Sequence, residues 1–233
     1  MISGQKQGPG PFFDPRGKLA VLLGISSLAL WVNPGWSDPI PSGKSRPNIL
    51  ILLADDLGWA DVGFHEGEIK TPNIDRLAEE GVVLDHFYSE PICSPTRAAL
   101  MTGRDPLKLG LAYDQIHPWY NAGLPPGAET LPRSFLEAGY ETGLVGKWHL
   151  GHTQAHQLPN QHGFEHFHGH LHTNTDYYTH QRESAHDLQE NGRSVRLDGQ
   201  YLTHIQSREA VRFLQERDPE KALPSIRALH SAP

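Results

Sequence analysis

Apolar and polar positions alternate in blocks along most of the chain. Residues 48–54, NILILLA, form a nearly continuous apolar run without alternation. That pattern predicts a strand covered on both faces in a parallel sheet. The run ends in Asp55 and Asp56. The next segment, TPNIDRLAEEG at 71–81, reads as a helix, with Thr71 as its cap, Pro72 in the first turn and Gly81 as its stop. VVLDHFY at 82–88 predicts a second strand. A short helix is expected after it, with Ser94 as N-cap, Pro95 at the first position and Gly103 just past the end. ETLPRSFLEAGY predicts a third helix, and YETGLVG a strand that delivers Lys147 and His149. Strands alternating with helices specify an α/β protein with a mainly parallel central sheet flanked by helices. Ligands in such sheets bind beyond the carboxyl ends of the strands. Asp55, Asp56, Lys147 and His149 all occupy that kind of position. From about 150 to 200 the chain is polar, His-rich and weakly periodic, which predicts long loops.

The N-terminal block has a different character. Arg16 and Lys18 precede LAVLLGISSLALWV at 19–32, an apolar run with no charge. It is short for a membrane span and has the form of a signal-peptide core. The expected organisation is a signal peptide over 1–36, a Pro/Gly/Ser linker over 37–46 and a catalytic portion over 47–220. Export to a periplasmic, extracellular or secretory compartment follows from that reading. With 233 residues the chain can bury one sizeable core. The net charge of −7, without a basic run, excludes a nucleic-acid partner but leaves a small anionic substrate open. A single cysteine, Cys93, cannot form an internal disulfide.

Candidate chemistry is concentrated in three places. Cys93 lies at a helix start, where free N–H groups and the helix dipole favour a thiolate or a bound oxyanion. Arg97, one turn further on, offers a forked donor suited to a tetrahedral oxyanion. A buried, inert thiol is the competing reading. Asp55 and Asp56 repel each other unless a cation or hydrogen-bond donors compensate, so they read as a site for a hard metal ion or as a solvated turn. Lys147 and His149 would point the same way if extended, one a fixed charge and the other a proton carrier, or else a surface pair. Ten of the 15 histidines lie between His149 and His186. Within HFHGHLH, alternate residues His166, His168, His170 and His172 would share one strand face, as transition-metal ligands or as a polar wall. Spacing shows no carboxylate partner for them.

Taken together, the stretches RPNILILLADDLGWADVGFH, TPNIDRLAEEGVVLDHFYSEPICSPTRAALMTGR and LEAGYETGLVGKWHLG resemble the N-terminal half of the sulfatase family, in the alkaline-phosphatase superfamily. HGFEHFHGHLHTNTDYYTH is similar to the segment that follows in the arylsulfatase B branch. The core of the resemblance is C-x-P-x-R, here Cys93, Pro95 and Arg97, followed by Met101–Arg104. The resemblance implies hydrolysis of a sulfate ester, with a sulfated glycan as a candidate substrate, by a formylglycine that a maturation enzyme makes from Cys93. It implies a calcium ion, with magnesium as the other hard cation, on Asp55, Asp56 and the modified Cys93. Arg97 would hold the formylglycine hydrate, Lys147 a sulfate oxygen, and His149 would assist the hydroxyl chemistry. Apart from the resemblance, Asp176, within TDYYTH, is a candidate to line the substrate cleft.

The family pattern also places a further Asp/Asn pair, a second histidine and a second lysine downstream. Here the resemblance decays after RDPEK, and ALPSIRALHSAP stands where an apolar strand is expected. Pro224 and Arg227 are expected to spoil a central strand, and His230 falls too early for the family histidine. The expectation is therefore a fold incomplete at its C-terminus, with an aberrant or truncated tail over 221–233. Two alternatives stay open: a phosphonate monoester or phosphodiester hydrolase of the same superfamily, and a catalytically inactive fragment.

Overall fold

The computed structural model describes residues 46–218, and residues 224–228 as backbone. The signal-peptide reading, nearly all of the linker and His230 lie outside the described residues. Strand β1 covers Ile49–Leu52, followed by helices α1 (Pro72–Glu80), α2 (Cys93–Thr102) and α3 (Leu131–Glu137). Strands β2 (Gly143–Lys147) and β3 (His166–His170) come next. Four two-residue strands follow: β4 (Gln181–Arg182), β5 (Ala185–His186), β6 (Gln189–Glu190) and β7 (Arg193–Ser194). Helix α4 (Leu202–Glu216) and strand β8 (Pro224–Ala228) complete the order.

The main sheet has the order β1-β8-β2-β3-β6-β7. Its first four strands are mutually parallel, and β6 and β7 add antiparallel pairings at the other edge. The expected α/β architecture is present, so the carboxyl ends of β1, β2 and β3 define one edge. The buried core is built on Leu144, Trp148, Phe164 and Phe167 with Ala98 and Met101 of α2. On β2, Gly143 has no room for a side chain: a Cβ there would lie 2.5 Å from the Phe213 ring of α4.

Several expectations need correction. Residues 224–228 form a strand between β1 and β2, pairing Ile226 with both Ile51 and Leu144. Pro224 stands at the first residue of this strand, where proline is tolerated, so neither it nor Arg227 breaks the pairing. Residues 82–88 are not a strand. Val82 is 86% exposed and Phe87 75%, and without a neighbouring strand or buried face the β-forming side chains have nothing to pack against. Among the described residues strand β1 is covered on one face only. Leu50 and Leu52 are each about half exposed while Ile49 and Ile51 turn inward, and α1 contributes no buried residue that could cover the other face. The 150–200 region is more ordered than expected, since β3 and two short hairpins lie within it.

Candidate active site

Helix α2 begins at Cys93 rather than after Ser94, with Ile92 as its N-cap, and ends as expected at Gly103 in the left-handed conformation. Ser94 therefore does not cap the helix. Its hydroxyl donates to His149 O at 3.1 Å and accepts from Ile116 N at 3.1 Å, tying three distant segments together. Ser94→Ala would leave both backbone groups buried without that partner. A loss of about 1–3 kcal/mol in unfolding free energy is expected from urea titration.

His149 lies two residues past the end of β2 and has φ 57°, outside the extended region assumed from sequence. A non-glycine residue is held there only where its surroundings fix it. Its backbone is pinned by Ser94 and by a bond from His149 N to Leu171 O at 3.1 Å. On the ring, Nε2 lies 3.0 Å from Ile116 O and Nδ1 lies 3.2 Å from Cys93 Sγ. A carbonyl only accepts, so Nε2 carries the proton and Nδ1 presents a lone pair to the Cys93 thiol. Burial, reinforced by the positive charge of Lys147, pushes His149 down to about 2, so the ring is neutral.

Beside this pair lies a compact charge network. Arg97, 2% exposed, donates from Nη1 to Lys147 O at 2.6 Å and from Nη2 to Asp55 Oδ1 at 3.3 Å. Lys147, equally buried, donates from Nζ to Asp55 Oδ2 at 2.7 Å. Burial lowers the Arg97 pKa, a shift opposed by the Asp55 carboxylate. Asp56 adopts φ 58° and is exposed where Asp55 is buried, so the turn at the end of β1 sends the adjacent carboxylates to different environments.

These residues line two adjoining clefts. A cleft of about 290 Å³ includes Asp55, Asp56, Glu90, Cys93, Thr96 and Arg97 in its walls. The second, about 520 Å³, joins Asp55, Asp56, Cys93 and Lys147 to Gln115, Thr173, Asn174, Thr175, Tyr177 and Arg182. Sequence reasoning missed the second wall. Thr173 and Asn174 follow the carboxyl end of β3, and the rule that located Lys147 would have found them. Gln115 and Arg182 arrive on loops that carry no periodic signal.

A sequence model of the sulfatase family matches residues 47–226. The chain belongs to the sulfatase family. It is 39% identical over 200 residues to arylsulfatase J of Mus musculus, a match covering 82% of this chain and 33% of that protein. Against N-acetylgalactosamine-6-sulfatase of Homo sapiens the identity is 46% over 134 residues, covering 53% of this chain and 25% of the other. Among solved structures, Ps i-CgsB superposes with a TM-score of 0.72 at 36% identity, over 80% of this chain and 45% of that one. BT4656, solved with its substrate D-glucosamine-2-N,6-O-disulfate, gives a TM-score of 0.63 at 31% identity, over 80% of this chain and 34% of that one. The sulfatase chain thus spans between about a quarter and a half of the length of these relatives.

Asp176 stands apart from the residues above. It is exposed, lines neither cleft, and its Oδ1 accepts from Thr179 N at 2.7 Å, Tyr178 N at 2.9 Å and Thr179 Oγ1 at 3.0 Å. Those bonds, led by the Thr179 N–H, lower its pKa and mark it as a turn residue. The histidines of the HFHGHLH stretch diverge in their surroundings. His166 stacks on Phe213 with ring centroids 5.1 Å apart, whereas His172 Nδ1 lies 2.9 Å from Asp187 Oδ2. Asp187 is thus a carboxylate partner that spacing did not reveal. Burial alone would raise its pKa, but the His172 hydrogen bond and the nearby His170 hold it below the usual value. Among the described residues no group of three or more His, Cys, Asp and Glu side chains is arranged to hold a metal ion.

Proposed function

We propose that this sulfatase chain carries the nucleophile-bearing part of a sulfuric ester hydrolase site, in which Cys93 is matured to formylglycine. The observation that carries the reading is the 3.2 Å contact between Cys93 Sγ and a neutral His149 Nδ1, inside C-x-P-x-R and beside the Asp55–Arg97–Lys147 network. The thiol sulfur stands where the oxygens of the matured residue would lie. A formylglycine hydrate supplies two hydroxyls on one carbon, one to attack sulfur and one to help expel sulfate. His149 Nδ1 is placed to take a proton from the side chain at position 93 and to return it. Its Nε2–H bond to Ile116 O keeps that lone pair aimed. Lys147 and Arg97 offset negative charge that develops on a sulfate group, from a buried position where such charges act strongly.

The residues fit a hard cation in part. Asp55 and Asp56 share both clefts with Cys93, and Asp55 Oδ2 already faces an ammonium at 2.7 Å, so this carboxylate is set to meet positive charge. Asp55, Asp56 and an oxygen at position 93 would hold calcium, or magnesium, which supplies Lewis-acid polarisation of a sulfate oxygen. Calcium takes about six to eight oxygen ligands, so this set is only part of a full shell.

Support for a sulfated sugar comes from the relatives, among them N-acetylgalactosamine-6-sulfatase and BT4656 with its disulfated glucosamine. Export follows from the apolar run at 19–32, and among the described residues no helix is long and apolar enough to cross a membrane. The test is expression in a secretory host with a maturation enzyme, followed by peptide mass analysis and paired assays on sulfate and phosphate esters. Formylglycine at position 93 and turnover of a sulfate monoester are expected. Wholly unmodified cysteine would count against the proposal, and a clear phosphodiester preference would move the chain to the phosphodiesterase branch of the superfamily.

A further inference from the structure

We infer that Arg182 forms a second anion-recognising point in the substrate cleft, selecting sulfate esters that carry another negative group near the scissile one. The inference rests on the proposed sulfatase chemistry and adds a specificity determinant to it.

The first observation is placement. Arg182 sits on β4 and shares the 520 Å³ cleft with Cys93 and Lys147, although 35 residues separate it from Lys147 in sequence (182 − 147). A cleft in the range of roughly 300–1,000 Å³ accommodates a small ligand such as a substituted sugar. The second observation is charge balance. At the nucleophile end, the cations Arg97 and Lys147 both bind Asp55, and Asp56 stands alongside, so two positive charges face two carboxylates. On the wall that holds Arg182, the cleft residues Gln115, Thr173, Asn174, Thr175 and Tyr177 are uncharged. Arg182 therefore supplies the positive charge of that wall. Among the described residues its ion pair is to Glu183 at 3.4 Å, and Glu183 is 55% exposed, so solvent weakens the contact.

The third observation is how the side chain is held. The Arg182 side chain is 19% exposed, and Nη1 donates to Asn174 Oδ1. Asn174 belongs to the loop that leaves β3, and the neighbouring Thr173 Oγ1 donates to Gln115 Oε1 at 2.8 Å. The guanidinium is thus held on one nitrogen by a neutral acceptor, and its carboxylate partner, Glu183, is the solvent-exposed one. Its Nε is buried and has no hydrogen-bond partner within the protein. A guanidinium has five N–H donors in a planar fork, more than the Asn174 and Glu183 contacts engage, and that surplus on a residue lining the cleft suits an oxyanion of sulfate or carboxylate type. Lysine would offer neither the fork nor the rigidity.

Both a second sulfate and a uronate carboxylate present this chemistry, and three substrates separate them. These are a monosulfated N-acetylhexosamine, the same sugar with a second sulfate, and the monosulfated sugar linked to a hexuronic acid. Each is assayed by turnover and by calorimetric binding, with wild type and with Arg182→Gln, using formylglycine-bearing protein. For wild type, kcat/KM on at least one doubly anionic substrate is expected to exceed that on the monosulfated sugar by about tenfold or more, and Arg182→Gln should bring that ratio close to one. The arm that shows the preference identifies the group. Equal values for all three substrates in wild type would overturn the inference while leaving the sulfatase reading intact. A parallel loss on all three in Arg182→Gln, with the ratio preserved, would also overturn it, because the residue would then merely support the loop. No turnover or binding of any sulfate ester by matured wild type would instead count against the sulfatase reading on which the inference rests.

Discussion

Arg97→Leu is expected to lower the unfolding free energy by about 3–5 kcal/mol, the range for removing one partner of a buried ion pair. The side chain is 2% exposed and closes the network from the inside, holding Lys147 O at 2.6 Å and Asp55 Oδ1 at 3.3 Å. Leucine fills part of the volume but returns neither donor. Asp55, 7% exposed, would then keep Lys147 as its one cation of the pair that now compensates it. Arg97→Lys preserves charge but not the fork, so an intermediate loss is expected. Combining Arg97→Leu with Asp55→Leu separates the pair from the packing. A double-mutant coupling of about 0.5–3 kcal/mol is expected for residues in one network. Urea midpoints at constant slope read these variants together with the Asp55→Leu single mutant that completes the cycle, four in all. A loss under about 1 kcal/mol for Arg97→Leu would show the network to be as well solvated as a surface pair.

Much of this network was legible in the sequence because each member sits where a local rule applies. Asp55 ends an apolar run, Lys147 ends another, and Cys93 and Arg97 open a helix whose stop at Gly103 was also readable. The α/β class and the parallel sheet followed from the same alternation. What escaped depends on partners remote in sequence. Strand β8 forms because β1 and β2 leave unpaired backbone on both sides of it, a property of the sheet rather than of PSIRA. Residues 82–88 have strand-like composition but, among the described residues, no neighbouring strand to pair with. Ser94 had the chemistry of an N-cap, and the structure uses it instead to join His149 and Ile116, which are 55 and 22 residues away. Asp176 looked like a cleft residue from its neighbours' composition, whereas its carboxylate is consumed by the turn it starts. Arg182 left no trace in periodicity, since it reaches the cleft on a two-residue strand.

Stability should fall steeply on mild acidification, because several histidines are buried in the neutral form. Burial pushes His149 to about 2 and His162 to about 4, and burial likewise lowers His152, His166 and His168. The unfolded chain takes up a proton at each histidine near pH 6.5, while the folded chain does so only below the depressed values. The unfolded state therefore binds more protons in this window, and unfolding free energy drops as pH falls. The contribution is complete above about pH 6.5 and is lost progressively down to the folded values, near pH 4 for His162. At about 1.4 kcal/mol per proton per pH unit, His149 and His162 each lose about 2 kcal/mol between pH 7.5 and pH 5.0. Against a total of about 5–15 kcal/mol for a typical domain, such a loss brings the fold near its limit. Carboxylates such as Asp187, held below the usual value, titrate at lower pH and leave this window to the histidines. His162→Gln isolates one contribution: its Nε2 is buried without a hydrogen-bond partner, and the ring lies 5.6 Å from Trp148. The variant is expected to lose about 2 kcal/mol less than wild type between the two pH values, whatever its starting stability. Urea midpoints measured at pH 7.5 and pH 5.0 decide the matter, and equal midpoints at both would mean that these histidines titrate in the fold as they do in the unfolded chain.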